Sequence, residues 1–222
     1  MHHYQILSRL LLYPEPELIA HLPQLDAALA AMPEQHALMT PLLRPLLAHL
    51  ESSSLIDLQQ QYVATFDRNP SHSLHLFEHI HGESRDRGQA MVDLMEEYKR
   101  HGLQMVGDDL PDFVPLFLEF LAQLDEAVSA PLLGDAVHVL AHIGRKLTAN
   151  GSAYAPVFSV LERLSPVAAE MLAEPPIRDM DEALETFGPG ADGVEPLLRQ
   201  GQGQFAGGVH PVHFHPQPRR AA

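Results

Sequence analysis

A short segment in the first half of the chain carries residues with the spacing of a metal site. His75, Glu78 and His79 lie in the string HLFEH, which has the H-x-x-E-H pattern of one class of zinc peptidase. In that chemistry, two histidines on one face of a helix bind the metal, and the glutamate acts as a base. The spacing therefore raises the hypothesis of a zinc-dependent hydrolase.

The surrounding sequence argues against a hydrolase. A catalytic zinc needs a third protein ligand, and the candidates Glu96, Glu97 and Glu119 all occupy ordinary positions on amphipathic helices. The segments that flank HLFEH leave little room for a helix, and the sequence predicts no sheet that would line a substrate cleft. A chain with 15 histidines also produces such a pattern by chance. A non-catalytic metal site is the other open hypothesis, with His72, His75, His79 and His81 as its possible ligands. Neither hypothesis is preferred, and we predict no catalytic residue, metal or cofactor.

Composition restricts the remaining classes. The 222 residues include no cysteine, so the chain has no disulfide or thiolate ligand, which suits a reducing compartment. The net charge of −15 disfavours binding to nucleic acid and favours a cationic partner. No signal peptide is legible, and no apolar run reaches the roughly 20 residues that a membrane span needs. We therefore expect a soluble cytoplasmic protein without membrane insertion.

Apolar periodicity predicts an all-α chain. Helical stripes recur along most of the sequence, and strand alternation is absent. Thr40 and Ser54 are predicted to cap helices, and glycines at 102 and 151 are predicted to end them. Further helices are expected over residues 154–164 and 167–172. We expect one helical domain over residues 1–188 and a flexible tail rich in Gly, Pro and His over residues 189–222.

The longer string around HLFEH matches the pattern of a known family. Residues 62–91 contain Y-x-x-x-F-D, then S-L-H-L-F-E-H, then H-G-E-S-R-D-R-G-x-A-M, and residues 110–121 read LPDFVPLFLEFL. In these blocks the chain resembles the NarJ-type nitrate reductase assembly chaperones, or delta subunits, within the TorD/DmsD-like redox-enzyme maturation proteins. The resemblance covers residues 4–190 and is densest over residues 62–124.

The resemblance implies a TorD-like helical bundle that is not an enzyme and holds no cofactor of its own. It implies a cytoplasmic chaperone that binds the immature catalytic alpha subunit of a respiratory nitrate reductase, including its twin-arginine-like N-terminal segment. Such a chaperone keeps the subunit competent for insertion of the molybdenum cofactor before membrane docking. Contact with the proteins that deliver the cofactor, the oligomeric state and a role as a more general helical adaptor all stay open.

A cationic, amphipathic partner segment needs an apolar groove with acidic residues beside it. We expect helices near residues 55–66, 84–100 and 112–124 to form this groove. The candidate apolar contacts are Tyr62, Phe66, Phe77, Met91, Met95, Phe117 and Leu121. The candidate polar contacts are Asp67, His75, Glu78, His79, Asp86, Asp112 and Glu119. Burial in the core is the alternative for the apolar residues, and a solvated surface or a helix start is the alternative for the acidic ones.

The HGESRDRG string predicts a structured loop that leads into a helix. Gly82 is expected to take a positive φ, and Ser84 to cap the helix. Arg85 and Arg87 are expected to tie the loop to acidic neighbours, so their loss should lower the melting temperature. Gly88 is expected to pack closely against another backbone.

The histidines of the same region suggest a dependence on pH. Since histidine titrates near neutrality, His75, His79 and His81 are expected to make partner binding sensitive to pH between 6 and 8. A buried ring with satisfied nitrogens is the alternative for His75.

Overall fold

The fold is described from a computed structural model that covers residues 2–82 and 84–172, all within one unit of the chain. The predicted domain end at residue 188 and the predicted tail lie outside the described residues. The first helices are α1 (His3–Leu10), α2 (Pro16–Ala20), α3 (Leu22–Ala30), α4 (Met39–Ser52) and α5 (Leu55–Tyr62). They are followed by α6 (Glu78–His81), α7 (Arg85–Arg100), α8 (Val114–Leu121), α9 (Glu126–Ala149) and α10 (Ala155–Leu164). Within these residues the only β-structure is an isolated bridge between His75 and Phe113, so the all-α prediction is confirmed.

Two helix pairs build most of the core. Helix α9 packs along α10, which also packs on α4, and α4 in turn contacts α3. Helix α1 packs on α8, and the Ser8 hydroxyl donates a hydrogen bond of 2.9 Å to the Pro115 carbonyl at this contact. The side chains between these layers are mainly leucines that are fully removed from solvent. This packing holds α8 and the residues that precede it in a fixed position.

Several helix ends follow from local chemistry. The Ser54 hydroxyl accepts a hydrogen bond from the Asp57 amide at the start of α5, as predicted. Gly102 and Gly151, at the ends of α7 and α9, have φ values of 75° and 65°, which glycine adopts without steric cost. The prediction for Thr40 is wrong: α4 already begins at Met39, and the Thr40 hydroxyl donates to the Leu29 carbonyl. The predicted helix over residues 167–172 is also wrong, since this segment is irregular.

A π-helical turn follows α5 directly. The turn covers Val63–Asp67, and the Arg68 amide donates to the Val63 carbonyl at 3.0 Å, five residues back. The wider turn keeps Phe66 in the core and leaves Asp67 exposed beside it. Such turns are rare and often lie at functional sites.

Helix α9 is long and apolar enough to cross a membrane by length and composition alone. Its most apolar window is 56% buried inside the fold, against α10 and other helices. Burial of this kind is typical of the core helix of a soluble protein.

Helix α7 is much less buried than α9. Among its residues, all of which are described, Tyr98 alone is fully buried. Its hydroxyl donates a hydrogen bond of 2.7 Å to the Pro111 carbonyl, and its ring contacts Phe120. Met91, Leu94 and Met95 are half-buried. The far end of α7 is therefore anchored, whereas its first half has few contacts with the core.

Two glycines within helices provide a matched pair for a stability test. A Cβ at Gly144 of α9 would lie 2.8 Å from the Phe158 Cβ of α10, whereas a Cβ at Gly88 of α7 would meet nothing within 4 Å. The expected close packing at Gly88 is therefore absent among the described residues, because α7 exposes this position.

We predict that Gly144→Ala lowers the free energy of unfolding by about 1–3 kcal/mol, since α9 and α10 must separate to make room for the methyl group. Gly88→Ala should raise it by about 0.5–1 kcal/mol through helix propensity alone. Urea unfolding followed by circular dichroism measures both. Equal effects of the two substitutions would contradict the packing described for α9 and α10.

Candidate functional site

A cleft of about 350 Å³ opens where the π-helical turn meets the HLFEH segment. We call it the Asp67 cleft. It is lined by Tyr62, Phe66, Asp67, Pro70, Ser73, Leu74, His75, Glu78 and Phe113. The cleft therefore combines aromatic rings with two carboxylates, and it brings together five of the predicted contact residues: Tyr62, Phe66, Asp67, His75 and Glu78.

The aromatic wall of the cleft is held from several directions. The Tyr62 ring lies 4.8 Å from the Phe66 ring and 5.4 Å from the Tyr13 ring, and the Phe66 ring lies 5.0 Å from the ring of Tyr154. The Tyr62 hydroxyl donates to the Leu11 carbonyl at 2.9 Å. The wall is therefore rigid, and its rings have little freedom to move aside.

The electrostatic environment of the cleft is negative. Burial raises the pKa of Tyr62, and the Tyr154 hydroxyl and the carboxylates of Asp67 and Asp109 raise it further. Asp67 is exposed at the mouth of the cleft and has no ion-pair partner among residues 2–82 and 84–172. A cation that enters the cleft would therefore meet an unpaired carboxylate.

Asp112 holds the HLFEH segment in place through hydrogen bonds. Its side chain is 0% exposed, and its carboxylate accepts hydrogen bonds from His75 Nδ1 at 3.2 Å and from the Phe77 amide at 3.1 Å. Its backbone carbonyl accepts from the Leu76 amide at 3.0 Å, next to the bridge between His75 and Phe113. Asp112 is thus shielded from any partner in this structure, although the sequence suggested it as a contact residue.

Asp112 stays ionised despite its burial. Burial by itself raises the pKa of its carboxyl group, but the hydrogen bonds from His75 and Phe77 and the nearby charge of Arg87 lower it, and the net pKa lies below the ordinary value. The buried charge is therefore compensated by its neighbours, as a stable interior carboxylate must be.

Arg87 links the start of α7 to this network. Its Nη2 lies 2.9 Å from Glu78 Oε1 and 3.9 Å from Asp112 Oδ2, and its side chain is 18% exposed. The expectation that Arg87 ties the loop to acidic neighbours agrees with these distances. Arg85 is instead exposed, and no carboxylate among the described residues lies within ion-pair distance of it. The described residues therefore give no support to the expectation for Arg85, which stays a prediction.

The loop before α7 follows the sequence prediction in part. Gly82 has φ 54° and ψ −134°, a conformation that residues with a side chain rarely adopt. Ser84 precedes α7 in the N-cap position, but its hydroxyl makes no capping hydrogen bond. The turn is thus fixed by Gly82 and by the ion pair of Arg87 and not by the Ser84 side chain.

The two histidines of H-x-x-E-H do not share a helix. Helix α6 begins only at Glu78, so His75 lies in the extended bridge and its Nδ1–H donates to Asp112. His79 Nε2–H donates to the Ser73 carbonyl at 2.9 Å. No group of three or more His, Asp or Glu side chains among the described residues has the geometry of a metal site. The H-x-x-E-H spacing therefore serves the fold.

The remaining predicted contacts lie outside the cleft. Phe117 and Leu121 are buried in α8 and belong to the core. Phe77 is half-buried, and Asp86 is exposed at the start of α7. Glu119 is half-buried on α8, where Arg9 lies 3.8 Å away. Met91 and Met95, on the half-buried face of α7, do not line the cleft either, so the expected participation of α7 in an apolar groove is not seen in its lining.

Comparison with known proteins identifies the family. The sequence profile described as "Nitrate reductase delta subunit" matches residues 22–159. The chain is 41% identical over 189 residues to the nitrate reductase molybdenum cofactor assembly chaperone NarJ of Escherichia coli (strain K12), which covers 81% of this chain and 79% of that protein. The chain belongs to the nitrate reductase delta subunit family.

More distant members and structures agree with this assignment. A candidate NarJ chaperone of Bacillus subtilis (strain 168) is 28% identical over 161 residues, with 71% of this chain and 85% of that protein covered. The crystal structure of a candidate redox enzyme maturation protein from Archaeoglobus fulgidus superimposes with a TM-score of 0.55 at 19% identity, over 72% of this chain and 90% of that one. The latter likeness shows the fold, and the family membership rules against the zinc hydrolase.

The sequence analysis of this delta subunit family member missed some residues of the Asp67 cleft. Phe113 was overlooked, although it directly follows Asp112 in the LPDF string and pairs with His75. Tyr154 and Asn150 support the cleft from the turn between α9 and α10, and the Asn150 amide donates to His72 Nε2 at 2.8 Å. No local sequence signal connects these residues to a segment about 80 positions earlier.

The buried carboxylate gives a direct test of the network. We predict that Asp112→Asn lowers the free energy of unfolding by about 3–5 kcal/mol, because it leaves Arg87 without the charge of its buried partner. Glu51→Gln, which removes a carboxylate from an exposed position on α4, should change it by less than about 1 kcal/mol. Guanidinium unfolding curves measure both. Similar losses for the two variants would contradict the role described for Asp112.

The partly buried histidines predict a loss of stability in mild acid. Burial is the largest effect on the pKa of His79, which is lowered from 6.5, so the unfolded chain binds a proton more readily than the folded chain. The contribution of His79 is fully present above pH 6.5 and is lost as the pH falls toward its folded pKa. Because the pKa of His79 is lowered, its ring is neutral over most of the range from pH 6 to 8. A change of charge on His79 therefore has little capacity to alter partner binding in that range.

We expect thermal unfolding between pH 7 and 5 to show a falling melting temperature, with a smaller fall in His79→Gln. The glutamine amide retains a donor for the Ser73 carbonyl. His21→Gln, at an exposed position, is the control. A slope in His79→Gln equal to that of the unmodified protein would show that His79 is not responsible.

Proposed function

We propose that this chain is a cytoplasmic assembly chaperone for a respiratory nitrate reductase. In this proposal it binds the immature catalytic alpha subunit and keeps it competent for molybdenum cofactor insertion before that subunit docks at the membrane. The observation that carries the proposal is the 41% identity, over most of both chains, to a protein named as a nitrate reductase molybdenum cofactor assembly chaperone. The function is binding without catalysis, and neither nucleic acid nor membrane insertion is part of it.

The Asp67 cleft is proposed as the receptor for the basic N-terminal segment of the alpha subunit. A guanidinium group is planar and weakly hydrated, so it pairs with carboxylates and also stacks on aromatic faces. The cleft offers the carboxylates of Asp67 and Glu78 beside the rings of Tyr62, Phe66 and Phe113. The combination suits an arginine side chain better than a lysine, whose compact ammonium lacks the planar surface.

The mechanism follows from this complementarity. The chain carries a net charge of −15, which accelerates encounter with a cationic segment at low salt. The rigid aromatic wall loses little conformational entropy when a ligand binds, so most of the contact energy is retained. Occupation of the segment by the chaperone would prevent its premature use by the membrane anchor and leave the cofactor site of the alpha subunit accessible.

We predict saturable binding of the N-terminal peptide of the alpha subunit from the same organism in a calorimetric titration. A peptide with its arginines replaced by glutamines should bind more weakly. Asp67→Asn should weaken binding of the unmodified peptide by roughly fivefold, the value of an exposed ion pair of about 1 kcal/mol. Glu51→Gln removes an equal charge from an exposed position on α4 and serves as the control.

The same titration distinguishes an error in the location of the binding site from an error in the proposed recognition of the N-terminal segment. Binding that Asp67→Asn and Glu51→Gln affect equally would place the segment elsewhere on the chain. Absence of binding by the unmodified peptide would contradict recognition of this segment, and pull-down of the full alpha subunit would then test whether a folded region of that subunit is the partner.

A further inference from the structure

A guanidinium group of the same chain lies behind the acidic wall of the Asp67 cleft and contacts Glu78 from the far side. Glu78 lines the cleft with a side chain that is 33% exposed, and on its other side it contacts Arg87 Nη2 at 2.9 Å. Arg87 belongs to α7 and does not line the cleft. Glu78 is thus shared between the cleft, where a cation can approach it, and an arginine of the same fold.

The contact between Arg87 and Glu78 is incomplete. A guanidinium and a carboxylate pair most strongly through two parallel hydrogen bonds. Here Nη2 of Arg87 makes the close contact with Glu78 Oε1, and the buried Nε of Arg87 has no hydrogen-bond partner among residues 2–82 and 84–172. A buried donor without an acceptor is unfavourable. The pair therefore leaves one donor of Arg87 unsatisfied, which limits how strongly Glu78 holds Arg87.

A second carboxylate lies within reach of Arg87. Asp112 Oδ2 is 3.9 Å from Nη2, beyond hydrogen-bond distance but close enough for a small rotation of the side chain to complete a bond. Asp112 is buried and ionised, so it already compensates part of the charge of Arg87. Arg87 consequently has a second partner to which it can move without passing through solvent.

Little else restrains the start of α7. The Arg87 amide donates to the Ser84 carbonyl, and the helix contacts α6. The one fully buried residue of α7 is Tyr98, which lies three turns further along the helix. A change in the partner of Arg87 is therefore able to alter the stability of the first turns of α7 without unfolding its anchored end.

We propose that a partner arginine entering the Asp67 cleft takes Glu78 from Arg87, which then pairs with Asp112 alone. This inference rests on the proposed function, because the incoming group is an arginine of the bound segment. Arg87 acts as an internal competitor that occupies Glu78 in the free chaperone. The exchange transmits occupancy of the cleft to α7, whose first turns lose the tie to Glu78 and open more often.

If the ion pair of Arg87 is exchanged in this way, the bound peptide should speed up amide hydrogen exchange at the start of α7, whereas a bound ligand ordinarily slows it. Hydrogen exchange of the full-length protein is measured with and without saturating N-terminal peptide of the alpha subunit. Amides of residues 85–92 should exchange about two- to fivefold faster in the complex, since loss of one partly exposed ion pair alters the opening equilibrium by about that factor. Amides around Tyr98 should not change. In Glu78→Gln the faster exchange should be present before the peptide is added and should not increase further.

Substitution of the competitor provides a second measurement. Arg87→Gln should raise the affinity for the peptide by about two- to fivefold, because Glu78 no longer has to leave an ion pair. Arg44→Gln removes an equal charge from an exposed arginine that pairs with half-buried Asp26, and it controls for the change in net charge. In a Glu78→Gln background, Arg87→Gln should leave the affinity unchanged, which is the signature of coupling between the two residues.

The outcomes separate this inference from the function on which it rests. A purely structural Arg87 would give the opposite sign, with weaker binding in Arg87→Gln, and would overturn the exchange. Peptide binding with unchanged or slower exchange at residues 85–92 would overturn it as well, and this measurement on the unmodified protein decides the matter if Arg87→Gln does not fold. Absence of peptide binding would overturn the proposed receptor and the exchange together.

Discussion

The buried carboxylate of Asp112 holds the HLFEH segment and the start of α7 against the residues that precede α8. It accepts a hydrogen bond from the His75 ring and one from the Phe77 amide, and it lies close to Arg87 at the start of α7. A charge in the interior is tolerated only when its neighbours compensate it, so each of these donors is required once the carboxylate is buried. This requirement fixes the position of His75, which lines the Asp67 cleft.

The same constraint accounts for the H-x-x-E-H spacing. His75 must reach Asp112 across the bridge, and His79 must reach back to the Ser73 carbonyl, while Glu78 between them turns toward Arg87. Three polar residues with the spacing of a zinc site are thus each engaged in holding a turn. A local pattern of residue types can satisfy two different physical demands, and the longer family pattern distinguishes between them.

Features set by local chemistry could be predicted from the sequence, and features set by long-range packing could not. Ser54 and Gly82 carry their roles in their own backbone and side-chain preferences. Tyr62, Phe66, Asp67 and Glu78 of the cleft were found because they lie in one dense block, whereas Phe113, which lies outside it, was missed. The π-helical turn, the shielding of Asp112 and the support from Tyr154 depend on how distant helices meet, and no periodicity encodes them.

The support that the turn after α9 gives to the cleft has a consequence for protein synthesis. Asn150 bonds the His72 ring, and Tyr154 packs on Phe66, so the cleft uses residues from both halves of the described chain. A nascent chain that has left the ribosome only as far as α8 has the HLFEH segment but lacks these supports. The cleft therefore lacks these supports until the chain has been synthesised through Tyr154, so a client that binds the cleft, as proposed, would be captured only after most of the described chain has emerged.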